Sequence, residues 1–103
     1  MSMQVVSPKT SAEAKTYTFD FASKLAAGET ISTQSTTATV WSGVDTSPSA
    51  IISGAATVSN TKVNQNITGG VNGVVYKLSV KITTSTGQTL VINSYLAVVD
   101  DPI

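Results

Sequence analysis

The sequence predicts a single all-β domain built as an antiparallel sandwich. Its 103 residues are long enough for one domain and too short for two. Only 12% of the residues are charged, about half the usual share, and Ser, Thr, Val and Ala are abundant, which favours strands and turns. Alternating segments separated by turn signals about every 8–12 residues are typical of an immunoglobulin-like sandwich of about seven short strands.

An N-terminal arm is predicted over residues 1–14, followed by the sandwich over residues 15–103. The arm lacks alternation, and Pro8 cannot donate a ladder hydrogen bond. Because its small apolar surface cannot offset the entropy of ordering, we expect the arm to be mobile in the free domain and to dock a partner through Val5 and Val6. The alternatives are an inert leader and a strand, formed by Gln4, Val5 and Val6, that pairs back onto the sandwich.

Alternation and β-branched residues place the strands within the sandwich. Tyr17, Phe19 and Phe21 share one face of the first strand, so this face is predicted to enter the core. The apolar face of the sixth strand holds Val74, Tyr76, Leu78, Val80 and Ile82. The expected strands cover residues 15–21, 31–41, 51–52, 55–59, 61–68, 74–83 and 89–99.

Two aromatic residues outside this core are candidate interaction residues. Trp41 lies near a loop on the threonine-rich face of its strand, where an exposed ring could anchor a partner. The alternative for Trp41 is a half-buried sandwich tryptophan. Tyr95 lies on the second face of the last strand, and because both faces of that strand are partly apolar, the sequence indicates a second contact surface there.

Glycine clusters and one aspartate are predicted to shape the turns. Glycine adopts positive φ at no steric cost, so the dense signal in residues 69–73 predicts a structured corner. Asp20 points away from the aromatic face and is expected to accept backbone N–H bonds in the turn that follows. The predicted turn residues are Asp20, Gly28, Gly69, Gly70, Gly73 and Gly87.

The residue inventory argues against catalysis, metal binding and nucleic-acid binding. Histidine and cysteine are absent, a turn separates Asp20 from Glu29, and Asp100 with Asp101 is expected to be a solvated terminus. The sequence contains no calcium-loop motif and no basic cluster, since six lysines balance six carboxylates without arginine. We therefore expect a non-enzymatic protein that needs no cofactor or metal.

The chain shows no secretory signal and no membrane segment. Its first ten residues lack an apolar core after a basic start, and nowhere do about eighteen apolar residues run together. The absence of cysteine is compatible with assembly in the cytoplasm. A net charge near zero gives a free monomer little protection against association, which suits a protein in permanent contact with others, including copies of itself.

Four local patterns occur in a fixed order. They are the aromatic-Asp strand at residues 17–21, the turn LAAGETI at 25–31, the corner GGVNGVVY at 69–76 and the hairpin TSTGQT at 84–89. This order resembles the fiber-tail adaptor family of tailed-phage virion proteins, over about residues 17–99. Between residues 33 and 60 the chain is longer and richer in Ser and Thr than the family pattern.

The resemblance implies a virion protein that joins fibers to the tail or baseplate, assembled in the cytoplasm of the bacterial host. Its implied partners are other virion proteins, and it requires no cofactor. Two alternatives are a head decoration or head-tail connector subunit, and a carbohydrate-binding or adhesive immunoglobulin-like module.

Overall fold

Strands and one short 3₁₀ turn make up the part of the chain that the structure describes. The structure is a computed structural model, which describes the backbone of residues 4–5 and all atoms of residues 8–100. Within these ranges, the strands are β1 (Gln4–Val5), β2 (Ala14–Asp20), β3 (Ile31–Ser42), β4 (Ile52–Ser59), β5 (Lys62–Thr68), β6 (Val75–Thr84) and β7 (Thr89–Ala97). The 3₁₀ turn, Pro48–Ile51, leads directly into β4.

The strands form two sheets that enclose one core. The four-stranded sheet has the order β1-β7-β6-β3, and the three-stranded sheet has the order β2-β5-β4. Neighbouring strands are antiparallel, except that β1 runs parallel to β7. The all-β sandwich prediction is therefore confirmed. The orders β2-β5-β4 and β3-β6-β7 correspond to strands B-E-D and C-F-G of immunoglobulin domains, which supports the immunoglobulin-like interpretation.

Alternation decides which side chains fill the space between the sheets. The predicted inward faces are confirmed, since Tyr17, Phe19 and Phe21 are buried, as is the whole apolar series from Val74 to Ile82. Burying each large apolar side chain contributes roughly 1.5–3 kcal/mol of favourable free energy to folding. This core therefore stabilises the sandwich. The other buried apolar residues are Ala38, Ile51, Val63, Ile67, Ile92, Leu96 and Val98.

Strand β4 differs from the prediction of two separate segments. It is one strand whose pairing with β5 is irregular between Ser53 and Thr57, where Gly54 adopts a φ of 70°. Here the buried amide of Gln65 donates to the carbonyl oxygens of Ser53, at 3.3 Å, and Gly54, at 3.1 Å. A side chain thus replaces ladder bonds, which keeps the strand continuous through a stretch that the sequence suggests is interrupted.

The N-terminal segment runs along β7. Gln4 and Val5 are register partners of Ser94 and Tyr95, so the strand-pairing alternative is the arrangement found here. Further along, Lys9 forms a bridge with Val98. Its N–H donates to Ala97 O at 3.2 Å, and its carbonyl accepts from Val99 N–H at 2.9 Å. Val6 lies outside the described residues, and the domain boundary after residue 14 stays a prediction.

The Lys9 side chain is the most deeply buried charged group in the described part of the chain. Only 2% of the residue is exposed, and its ammonium donates to the carbonyl oxygens of Thr10, at 2.6 Å, and Gly69. Burial lowers the pKa of Lys9 from 10.5, while the nearby carboxylates of Glu13 and Asp100 oppose that shift. Lys9 therefore links the N-terminal segment to the glycine corner before β6.

Candidate docking surface

The outer face of the four-stranded sheet is open to solvent. Strand register fixes its members: Thr39, Lys77 and Tyr95 form one row across β3, β6 and β7, and Ser35, Lys81 and Val91 form another. Every member is exposed or half-buried. We define the outer sheet face as Thr33, Ser35, Thr37, Thr39, Trp41, Val75, Lys77, Ser79, Lys81, Thr83, Thr89, Val91, Asn93, Tyr95 and Ala97.

An aromatic pair lies at one end of the outer sheet face. The ring centroids of Trp41 and Tyr95 are 5.3 Å apart with an interplanar angle of 66°, an edge-to-face contact. These residues belong to β3 and β7, so the contact spans the intervening β6. A register shift between Val40 and Ser42 displaces the backbone around Trp41. With 59% of its surface exposed, Trp41 is not a core tryptophan.

Three of the four candidate interaction residues meet at this place. Trp41 contacts Tyr95, and the backbone of Val5 is paired in register with Tyr95. The fourth, Val6, lies outside the described residues. Residues far apart in the sequence thus converge on one corner of the sheet, although nothing in the sequence indicated that they would be neighbours.

Charge is unevenly distributed around the sandwich. The outer sheet face carries Lys77 and Lys81, and none of its positions, all within the described residues, holds a carboxylate. The carboxylates of the described chain lie in turns and near the ends, at Glu13, Asp20, Glu29, Asp45 and Asp100. A nearly neutral chain therefore presents one face of positive charge.

A buried hydroxyl holds the loop after β3 against the corner before β6. The hydroxyl of Tyr76 donates to Asp45 Oδ2 at 2.6 Å and accepts from Val71 N–H at 2.8 Å. Asp45 Oδ1 accepts a further bond from Ser47 N–H at 2.9 Å. These donors, the Tyr76 hydroxyl first, lower the pKa of Asp45, whereas burial and the bond to Asp45 raise the pKa of Tyr76 to about 12.

The predicted turn glycines all have positive φ, among them 67°, 102° and 89° at Gly69, Gly70 and Gly73. Gly70 is also sterically required, because a Cβ there would lie 2.9 Å from Val98 Cγ2. The other two turns, at Gly28 and Gly87, have φ values of 80° and 90°.

Two acidic residues organise turns around the sandwich. Asp20 Oδ1 accepts from Ala22 N–H and from the Thr61 hydroxyl, both at 2.9 Å. Glu29 accepts from Ala26 N–H at 2.9 Å and from the Thr86 hydroxyl, which ties the turn after β2 to the β6–β7 hairpin. Hydrogen bonds from Thr84 and Thr86 lower the pKa of Glu29.

Sequence reasoning missed several residues that organise the loops. Asp45 occupies an ordinary-looking loop, Lys9 falls in the predicted arm, and Glu29 was placed in a turn without a predicted hydrogen-bonding role for its carboxylate. Asp100 is exposed, as expected of a solvated terminus, and it is also hydrogen-bonded: its Oδ1 accepts from Ser11 N–H at 2.6 Å and its N–H donates to Asn72 at 2.9 Å. Asp101 lies outside the described residues.

The described side chains offer no grouping suited to a metal ion. Within residues 8–100, no three His, Cys, Asp or Glu residues lie close enough together to hold one. The described chain also contains no helix long and apolar enough to cross a membrane. The organised polar groups instead brace turns and loops.

These features define a small β-sandwich protein whose carboxylates secure its loops and whose four-stranded sheet exposes an aromatic, positively charged face. The family model described as Gp77, podophage GP4 fiber-tail adaptor protein gp77, matches residues 9–95. The chain belongs to this family of phage tail proteins, which confirms the resemblance found in its sequence. No curated protein matches the chain.

Proposed function

We propose that this protein is a non-enzymatic structural component of the phage virion that joins fibers to the tail. The observation that carries the proposal is the match of a fiber-tail adaptor family model to residues 9–95, nearly the whole sandwich. Its partners are then other virion proteins, namely the fiber on one side and a tail or baseplate protein on the other.

An adaptor needs two separate contact surfaces, and the sandwich offers two. One is the outer sheet face with its aromatic pair. The other is β3, the edge strand of the four-stranded sheet in the described part of the chain, which has 12 residues and contains neither charged residues nor proline. Charged residues and proline commonly protect sheet edges from pairing, so β3 is suited to accept a strand from a neighbour.

Deletion of the gene for this chain from its phage tests the proposal. Mutant particles should retain filled heads and tails but lack fibers in negative-stain electron microscopy, and a plasmid copy of the gene should restore the fibers. A plasmid carrying a variant with a proline inside β3, Thr36→Pro, serves as a second arm. The N–H of Thr37 faces its register partner Ser79 on β6, so the N–H of the neighbouring Thr36 faces the outer edge, where proline blocks strand addition.

The alternatives predict other outcomes. Particles that keep their fibers but have fragile heads, with the protein located on the capsid, would identify a decoration or connector subunit. Fibers that are present but fail to adhere to host polysaccharide would identify an adhesive module. Either result would overturn the adaptor proposal.

A further inference from the structure

The outer sheet face has the chemistry of a docking site for an acidic protein surface. We propose that it binds a partner in the virion through an apolar side chain seated against Trp41 and Tyr95, flanked by carboxylates that pair with Lys77 and Lys81. This inference rests on the proposed adaptor function and names the chemistry of one of its partners.

The charge of the outer sheet face favours an acidic partner. Lys77 and Lys81 are four residues apart on β6, so their Cα atoms are separated by about 13 Å along the strand. No carboxylate shares the outer sheet face with them, although the chain as a whole is neutral. A lysine that has no carboxylate on its own face is suited to pair with a carboxylate of another protein. Such pairs favour one orientation of the two proteins and one choice of partner.

An exposed or half-buried apolar side chain lies beside each lysine. Tyr95 is the register partner of Lys77, and Val91, 41% exposed, is the register partner of Lys81. Trp41, 59% exposed, lies against Tyr95. Aromatic residues commonly dominate the binding energy of a contact, and lysines beside them influence encounter and orientation.

The same observations disfavour other occupants. A two-fold dimer through this face would bring its lysines towards the same lysines of the second copy, with no carboxylate to offset them. Two lysines without arginine offer too few phosphate contacts for nucleic acid. The 66° angle between the Trp41 and Tyr95 rings presents an edge-to-face pair and not a flat platform for stacking a sugar ring.

Binding of the purified, fluorescently labelled chain to phage particles that lack it tests the proposal. We expect the variant Lys77→Glu/Lys81→Glu to bind at least about tenfold more weakly and to lose most of the salt dependence shown by the wild type. Trp41→Ala should also weaken binding at least about tenfold, with little change in salt dependence.

Matched control variants distinguish an effect at the outer sheet face from the general effect of reversing a charge or truncating an apolar side chain. Lys24→Glu reverses the charge of an exposed lysine in the turn after β2, and Val58→Ala truncates an exposed apolar residue of β4. Both should bind within about twofold of the wild type. If the charge reversals lower the melting temperature, Lys77→Gln/Lys81→Gln replaces them, with the same loss of salt dependence expected.

The outcomes separate this inference from the function on which it rests. If the wild-type chain restores fibers but the lysine and tryptophan variants bind within twofold of it, the outer sheet face is not the docking site, and the adaptor function stands. If the wild-type chain does not bind particles at all, both fail. Particle binding unchanged by Trp41→Ala, together with Trp41-dependent binding to a glycan array, would assign the face to a sugar and overturn the proposal.

Discussion

At the scale of single residues, Tyr76 connects the core to two loops through one hydroxyl. Its ring is fully buried, and its hydroxyl bonds Asp45 and the N–H of Val71. Removing this hydroxyl costs free energy, because Asp45 and the N–H of Val71 each lose a hydrogen bond and must be hydrated instead at partly buried positions.

Tyr76→Phe keeps the ring and removes only the hydroxyl. We expect it to lower the free energy of unfolding by about 1–3 kcal/mol, because Asp45 and Val71 N–H lose a partner. Urea denaturation at pH 7 measures the change. Tyr95→Phe is the matched control on the outer sheet face and should change stability by less than about 0.5 kcal/mol. Equal effects of the two substitutions would contradict this role for Tyr76.

Thr36 shows the opposite situation on β3. Its register partner is Val80 in the core, and its buried hydroxyl has no hydrogen-bond partner among the described residues. Thr36→Val replaces that hydroxyl with a methyl group of similar size, so we expect stability to rise by about 1 kcal/mol in urea denaturation. Thr37→Val, on the outer sheet face, is the control and should give no such gain. A destabilised Thr36→Val would mean that the hydroxyl has a partner after all.

At the scale of elements, the N-terminal segment is the least expected part of the sandwich. It contributes β1, the bridge at Lys9 and the buried Lys9 ammonium. Its pairing with β7 completes backbone hydrogen bonds that would otherwise face solvent at the sheet edge. The N-terminal segment is thus part of the folded sandwich.

Deleting residues 1–7 should lower the melting temperature. The loss of β1 leaves the edge of β7 unpaired, and a loss of about 1 kcal/mol corresponds to roughly 4–8 °C in a domain of this size. Lys9→Met, which removes the ammonium bonded to Thr10 and Gly69, should cost about 1–3 kcal/mol, whereas Lys24→Met in an exposed turn should not. A truncated chain that melts like the full chain but no longer enters particles would favour the docking arm.

The strands that the sequence predicts correctly are those in which apolar and polar residues alternate. Strands β2, β3, β5, β6 and β7 lie within a few residues of their predicted ranges, since each has a periodic apolar face. Strand β4 was predicted only as two segments and β1 only as an alternative, because each depends on a distant partner. β4 stays continuous through the amide of Gln65, and β1 forms only because β7 offers it an edge.

At the scale of the whole molecule, carboxylates secure the ends and loops of the sandwich. Hydrogen bonds are the largest cause of a lowered pKa at Glu13, Asp20, Glu29, Asp45 and Asp100. The donors are backbone N–H groups and hydroxyls, such as those of Tyr76 and Thr84. The folded state therefore favours the ionised form of each of these groups.

Acid should destabilise the protein in a defined window. A lowered pKa in the folded state contributes stability that is present above the ordinary values, 3.8 for Asp and 4.5 for Glu, and is lost as the pH falls through the folded-state values. We expect the urea midpoint to be constant from pH 7 to about 5 and to fall steadily below about pH 4.5. Because hydrogen bonds are the largest cause of the shifts, 0.5 M NaCl should change this profile little, and a flat midpoint down to pH 2 would contradict the assignment.

The candidate surface could be predicted only in part from the sequence. Trp41 and Tyr95 were predicted as candidate interaction residues, because Trp41 lies on the threonine-rich face of its strand and Tyr95 on the second, partly apolar face of the last strand. Their contact across β6 could not be predicted, because it depends on the register of three strands and on the irregularity beside Trp41. The separation of lysines from carboxylates likewise appears only when the strands are aligned.

The parallel arrangement of β1 and β7 has a mechanical consequence. Tension applied between the start of β1 and the end of β7 would pull the two strands along their length in opposite directions. Their mutual bonds, together with those between Lys9 and residues 97 and 99, would then be loaded in shear and share the force, whereas strands peeled apart break their bonds one at a time. A protein pulled between a fiber and a tail would in this geometry resist unravelling from its ends.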